Sequence, residues 1–289
     1  MLQITYDPAM DQEGVREGLR IRYPVKEGMA EYTFVHSVVP QTNCDIWRLS
    51  VVNALDGQGN FLFALTKEHA EWEMAIRLAG RPDFIGGYAH GDEIGEAPSF
   101  WLDGVPVEGE ELQNARCEEF RIRVASVGYD PLRQEQAVLR HQKTYWFREA
   151  GVELEQEVEW LRDVRMDARC NSYLSMMPPV KHDPEAEKRI LTDSWAWDED
   201  PQAPILQREM TRSRAKKITV TGRESGWRFT MEGEDYEPRY PGSFRGLITD
   251  NQPGSNYHKM YLFFVGGMEA VVPAGKRWHA RTRYRIDQL

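Results

Sequence analysis

The chain has 289 residues, 41% of them hydrophobic and 11% aromatic, with 36 basic side chains against 46 acidic ones. This composition excludes a disordered polypeptide, and the length is enough for one or two ordinary domains with a large core. The net charge of -10 argues against a duplex nucleic-acid binder, whose surface must be basic; the acidity is concentrated in residues 1–114, with 8 Lys and Arg against 19 Asp and Glu, while residues 115–289 hold 28 against 27.

Taken in chain order, the predicted elements are strands. Ala70, Trp72, Met74, Ile76 and Leu78 fall at every second place with Glu71, Glu73 and Arg77 between them, which predicts a strand with one buried face. Phe120, Ile122 and Val124 alternate with Arg121 and Arg123 in the same way. The stretch from Arg140 through Gly151 to Trp160 reads as a long hairpin, whose second arm sets Val152, Leu154, Val158 and Trp160 on one face and Glu153, Glu155, Glu157 and Glu159 on the other. Pro178-Pro179 through Glu187 reads as a polar loop, and Trp227, Phe229 and Met231 mark another strand. In the last strand Trp278, Ala280, Thr282, Tyr284 and Ile286 share one face, with Arg277, His279, Arg281, Arg283 and Arg285 opposite. Turn signals separate these runs at Asp56-Gly57, Asp103-Gly104, Ala150-Gly151, Gly222 to Gly226 and Pro273 to Gly275.

About 15 to 18 strands and no helical periodicity beyond a turn or two predict an all-β protein, a single large antiparallel β-sandwich over residues 1–289. Opposite charges support cross-strand pairing, so the Glu face of 152–160 and the Arg face of 277–286 are expected side by side in one sheet, the alternative being two independent solvated faces.

No run approaches the roughly 18 apolar residues of a membrane helix, and the N-terminus lacks a basic region followed by an apolar run. Cys44, Cys117 and Cys170 are odd in number and widely spaced, which fits neither a disulfide framework nor a CxxC metal site. The expectation is a cytoplasmic protein that meets neither membrane nor nucleic acid. The sequence leaves the oligomeric state open.

Three stretches carry candidate chemistry. In Phe84-Ile85-Gly86-Gly87-Tyr88-Ala89-His90-Gly91-Asp92-Glu93 the glycines allow a sharp turn that crowds His90, Asp92 and Glu93. A histidine beside carboxylates suits general acid and base work; the alternative is a satisfied polar turn. His90 and Asp92 lack an evident third ligand, so neither a metal nor another cofactor is expected. In Asn256 to Tyr261, Tyr257, Lys259 and Tyr261 share a face suited to a hydroxyl-rich or anionic ligand, with His258 on the other; the plain alternative is a strand end with snorkelling Lys and amphipathic Tyr. In Arg140 to Trp146, His141, Lys143 and Tyr145 share a face, and Arg121, Arg123 and Tyr129 of the preceding strand are expected to join them in a polar groove. No GxGxxG, P-loop, GxSxG or HExxH is present, which removes the common dinucleotide, NTP, serine-hydrolase and zincin readings.

The order of these features resembles the galactose mutarotase-like β-supersandwich superfamily of aldose 1-epimerases and of the sandwich domains of polysaccharide lyases and glycoside hydrolases. The likeness lies in Gly86 to Glu93, in Gly151 to Trp160 leading through Cys170-Asn171-Ser172-Tyr173-Leu174-Ser175-Met176-Met177-Pro178-Pro179, and in the ending Val272 to Trp278. It implies a saccharide ligand and acid/base proton transfer on a sugar, either epimerisation or uronate β-elimination. On this reading His90, Glu93, Asp92 and His258 supply the catalytic groups, and Arg121, His141, Lys143, Tyr145, Tyr257, Lys259 and Tyr261 hold the substrate. The sequence departs from the family around the epimerase glutamate, for which Glu232, Glu234 and Glu237 are all candidates. A non-catalytic carbohydrate-binding or structural module, and a metal-dependent cupin-type barrel, are the competing classes.

Overall fold

The computed structural model describes the chain except residues 11–13, 69–71, 150, 167–171, 185–186, 198–204, 207–210, 214–215, 242, 244–245 and 250–254. The strands of the first half are β1 (Leu2–Asp7), β2 (Val15–Pro24), β3 (Gly28–Val39), β4 (Cys44–Asp56), β5 (Phe61–Ala64), β6 (Glu93–Gly95), β7 (Ser99–Leu102), β8 (Val105–Val107), β9 (Ala115–Cys117), β10 (Phe120–Asp130), β11 (Arg133–Arg148) and β12 (Gly151–Trp160). The second half adds β13 (Val164–Met166), β14 (Ser172–Met177), β15 (His182–Asp183), β16 (Lys188–Arg189), β17 (Asp193–Trp197), β18 (Ile205–Leu206), β19 (Thr211–Ser213), β20 (Lys217–Gly222), β21 (Trp227–Glu237), β22 (Gly246–Thr249), β23 (Lys259–Val265), β24 (Ala270–Val272) and β25 (Arg277–Gln288). Short edge strands raise the number above the 15 to 18 expected. The α-helix among the described residues is the single turn α1 (Gly87–His90).

Hydrogen bonding runs continuously through β9, β1, β2, β3, β4, β6, β10, β11, β12, β25, β21, β20, β17 and β18. Every step is antiparallel except β4 to β6, where Cys44 and Asp45 pair in parallel with Glu93 and Ile94. The early strands lie face to face with the later ones: the Phe34 ring meets Tyr145 edge-on at 5.0 Å, and Tyr32 meets Phe147 at 5.7 Å. This packing makes an all-β sandwich, with one buried cluster reaching from Leu2 to Ile286. Trp72, Trp160, Trp227 and Trp278 are fully buried in it, each a gain of about 2–3 kcal/mol over exposure. A smaller sheet, β14-β23-β22-β19, carries a separate aromatic cluster.

The charged faces of β12 and β25 are in one sheet and in register. Glu153 lies opposite Arg283, Glu155 opposite Arg281, Glu157 opposite His279 and Glu159 opposite Arg277. The bonds run partly on the diagonal, with Arg281 Nε donating to Glu153 at 2.8 Å and the His279 ring 2.9 Å from Glu155.

Two expectations need correction. The segment expected as a strand over 70–78 is not one: among its described residues Ala75 and Ile76 form isolated bridges, to Tyr173 and Ile85, and residues 70 and 71 lie outside the described part. The segment is buried on both sides, and Glu73 sits inside as acceptor for Leu49 N at 2.8 Å and Tyr145 Oη at 2.7 Å. Among its described residues the Pro178–Glu187 stretch is not all loop, because Pro179 and Val180 form bridges and β15 pairs with β16.

Candidate functional site

The Gly86–Glu93 turn is built by backbone that other residues resist. Gly91 has φ +73°, and a Cβ there would come within 1.8 Å of the Thr42 carbonyl oxygen, so only glycine fits. Asp92 also lies at positive φ, +51°. These dihedrals send the three polar side chains in three directions. His90 ends α1 with its ring on Phe84, centroids 4.7 Å apart, and its Nδ1 is 2.8 Å from Asp83 Oδ1. Asp92 turns toward Asn43 and Gln134, which donate to its Oδ1 at 3.3 and 3.1 Å; burial pushes its carboxyl pKa upward against those bonds. Glu93 points into the sandwich. The hydrogen bonds therefore do not assemble His90, Asp92 and Glu93 into the expected cluster; His90 takes Asp83 as its carboxylate.

Glu93 is the hub of a buried network. Its Oε1 receives Ser126 Oγ at 2.5 Å and lies 3.3 Å from both Lys143 Nζ and His141 Nδ1, while Gly87 N donates to Oε2 at 3.2 Å. Glu93, Lys143 and His141 are each 1% exposed. Burial alone would raise the Glu93 carboxyl, but Lys143, His141 and Ser126 outweigh it and hold the group well below the usual carboxylate range. Burial dominates at His141 and pushes its pKa down despite Glu93. Gln156 Nε2 donates to the Leu174 carbonyl, so its Oε1 faces His141 Nε2 at 2.9 Å. A carboxylate held this firmly is an anchor. Through Gly87 N it fixes the start of the turn that presents His90.

His141, Lys143 and Tyr145 do share a face, as the alternation predicts, but it is the inward one. Arg121 is directly opposite Trp146 in the β10–β11 register, whereas Lys143 is opposite Val124. Paired residues share a side, so Arg121 lies on the other face of the sheet, with its guanidinium 4.1 Å from the Trp101 ring centre. Arg123 follows it there and donates to Gln142 at 2.5 Å. The expected groove combining these arginines with His141 and Lys143 is therefore split by the sheet itself. Glu234 joins the same charged strands, bonded to Arg283 at 2.6 Å, and Glu237 lies 3.8 Å from Arg239.

The remaining stretch meets the turn. Tyr261 meets Tyr173 at a tilt, with centroids 4.8 Å apart, and stacks on Phe263 at 5.4 Å. Tyr261 and Phe84 are both half-buried against one cluster of Ala75, Tyr173, Met176 and Phe263. Arg77 lies over Phe84 at 5.5 Å. Thus Phe84 with His90 and the β23 tyrosine, more than 160 residues apart in sequence, border one aromatic patch. Tyr257 bridges Val180, half-buried Lys259 opens β23, and His258 is buried with its backbone N donating to Pro179 O at 2.8 Å.

Sequence reasoning missed Asp83 and Glu73, and also Tyr6, Glu17, His36 and Asp45. The last four stand at strand positions whose pattern runs apolar until it turns polar, as in Tyr32-x-Phe34-x-His36, and that switch was the available signal.

No family model and no curated protein matches the sequence. Solved structures do resemble the fold. A galactose mutarotase-like protein from Clostridium acetobutylicum is similar over 99% of this chain and 98% of its own, at 7% identity and a TM-score of 0.48. Another from Lactobacillus casei is similar over 92% of this chain and 99% of its own, at 8% identity and a TM-score of 0.44.

Proposed function

We propose that the chain is a carbohydrate-active protein whose residues 1–289 form one β-supersandwich, and that it binds a saccharide on the patch bordered by Phe84, His90, Tyr173 and Tyr261. The observation that carries this reading is the convergence of Phe84–His90 and Tyr261 on one aromatic cluster. Partly exposed aromatic rings next to hydrogen-bonding groups suit a sugar, which offers C–H faces and hydroxyls together. In this reading His90, oriented by Asp83 at 2.8 Å, exchanges a proton with a sugar hydroxyl, and Arg77 and Lys259 supply positive charge at the rim. Glu93 and His141 act as positioning residues beneath the turn. Lys143 is committed to Glu93 and buried, so it is unsuited to neutralise a uronate, and elimination would have to rely on Arg77 and Lys259.

A second reading is non-catalytic binding, favoured by the single carboxylate against His90 among the described residues, since epimerisation needs both an acid and a base. Saturation-transfer NMR with a panel of aldoses and uronate oligomers, together with anomeric exchange and absorbance of unsaturated products, tests both. The expected result is saccharide binding weakened about tenfold by Phe84→Ala and Tyr261→Ala, and anomeric exchange lost in His90→Gln with binding retained. Binding without exchange in the parent chain selects the module; no binding to any sugar overturns the proposal.

A further inference from the structure

A second cleft lies where β1 to β4 reach one end of their inward face. Along these strands the buried positions Ile4, Leu19, Phe34 and Leu49 give way to Tyr6, Glu17, His36 and Asp45, and the register keeps Glu17 opposite His36 and His36 opposite Trp47. The space there is about 420 Å³ and is lined also by Glu96, Pro98 and Phe100.

Its side chains are ordered by one another. The His36 ring lies parallel to Trp47, with centroids 5.2 Å apart and a 10° interplanar angle. Its Nδ1 is 3.1 Å from Glu17 Oε1 and its Nε2 2.7 Å from Asp45 Oδ1. Tyr6 donates its hydroxyl to the other Glu17 oxygen, and that bond to Glu17 raises the phenol pKa to about 12, keeping it a donor. A carboxylate can only accept, so both nitrogens of His36 are satisfied as donors when the ring is a cation.

This donor inventory decides what the cleft offers a ligand. The donors of Tyr6 and His36 are all consumed within the cluster. Apart from the indole N–H of Trp47, which also lines the space, what the side chains have left is acceptor capacity: the second Asp45 oxygen, remaining lone pairs of Glu17, and Glu96, whose side chain has no ion partner among the described residues. Among the described residues neither Lys nor Arg lines the space, and Glu110 adds negative potential near Tyr6. Even with His36 charged, three lining carboxylates outnumber one cation, and Pro98 and Phe100 provide an apolar wall. The neighbouring cleft beyond Glu96 has Arg140 and Arg277 among its lining, so the unbalanced carboxylates belong to the His36 side.

We propose that this cleft is a binding site for an organic ammonium group, held by Asp45 and Glu96 with its carbon body against Phe100. The excess of carboxylates over cations disfavours a carboxylate or phosphate ligand. The site is separate from the His90 patch and does not depend on the saccharide reading.

Calorimetric titration of the Phe84→Ala, Tyr261→Ala double variant, which weakens saccharide binding at the His90 patch, tests it with two cations, glucosamine and cyclohexylamine, and their neutral counterparts, N-acetylglucosamine and cyclohexanol. Both amines are expected to bind, with each neutral compound at least about tenfold weaker; Asp45→Asn and Glu96→Gln should each cost the amines about tenfold. Binding of glucosamine alone supports the site and identifies an amino sugar as the source of the ammonium; cyclohexylamine alone supports it with a simple amine. Glu96→Gln removes no bond within the cluster, so it carries the test if Asp45→Asn fails to fold. Equal binding of amine and neutral compound, titrations unchanged by Glu96→Gln, or no binding of either amine overturns the proposal. A chain that binds no sugar at the His90 patch is still expected to titrate with amine, so the two proposals fail separately.

Discussion

Two histidine–carboxylate arrangements in this molecule use the same groups to opposite ends. Around Glu93 the carboxylate, Lys143 and His141 are sealed between layers, and every polar contact is made by the protein itself. Around His36 the side chains of Glu17 and Asp45 are 29% and 38% exposed, and water can replace any contact that is lost. Burial decides the role. A charge without access to water must be matched internally and becomes architecture, whereas the same pair at a cleft mouth can exchange its partner for a ligand.

Breaking this contrast should show first at Glu93. Glu93→Ala strands Lys143 without its counterion and should lower stability by about 3–5 kcal/mol, read by urea unfolding. If the loss is below about 1 kcal/mol, the hub is not the anchor described. Next comes pH. His141 has its pKa lowered by burial from 6.5, so the unfolded chain takes up the proton first and stability falls as pH drops below about 6.5. Glu93, lowered from 4.5, contributes stability that is full above that value and is lost as pH falls further. Asp92, raised from 3.8, works in the opposite sense and offsets part of the acid loss. Unfolding midpoints between about pH 7.5 and pH 4.5 should therefore fall with acid, and His141→Gln should flatten the upper part of that slope.

His36→Gln should cost about 1 kcal/mol or less, because Glu17 and Asp45 regain water; a loss as large as that of Glu93→Ala would erase the distinction between the two regions. The smallest effect is expected on the charged face of β12 and β25. His279 and Glu155 are about one third exposed, and Glu155→Gln should change stability by about 0.5 kcal/mol or less in the same unfolding assay, with the difference shrinking further in high salt.

That charged face was also the most legible feature of the sequence. Alternation assigned the Glu and Arg sides, and charge complementarity predicted that 152–160 and 277–286 are neighbours, which the register of Glu153 with Arg283 and Glu159 with Arg277 bears out. The same period-two reasoning placed His141, Lys143 and Tyr145 on one face, but could not say that this face was interior, because a polar strand face is ordinarily the wet one. It failed over 70–78 for a related reason: apolar alternation marks burial, and a segment buried on both sides shows it without forming a ladder. At the candidate site, the His90 turn and Tyr261 were each visible as unusual composition. Asp83, a lone acid just before that turn, carries no comparable signal.

By itself, then, the sequence determined the all-β class and, in the strands that formed, which side chains share a face, and it raised the pairing of β12 with β25 as one of two alternatives, since side-chain alternation and charge pairing are local rules with a fixed period. Only the tertiary structure decided which carboxylate serves which histidine. His90 takes Asp83, His141 takes Glu93 and His36 lies between Glu17 and Asp45. Each choice depends on turn dihedrals and on the packing of strands distant in sequence, and burial then sets whether the pair is fixed structure or an open site.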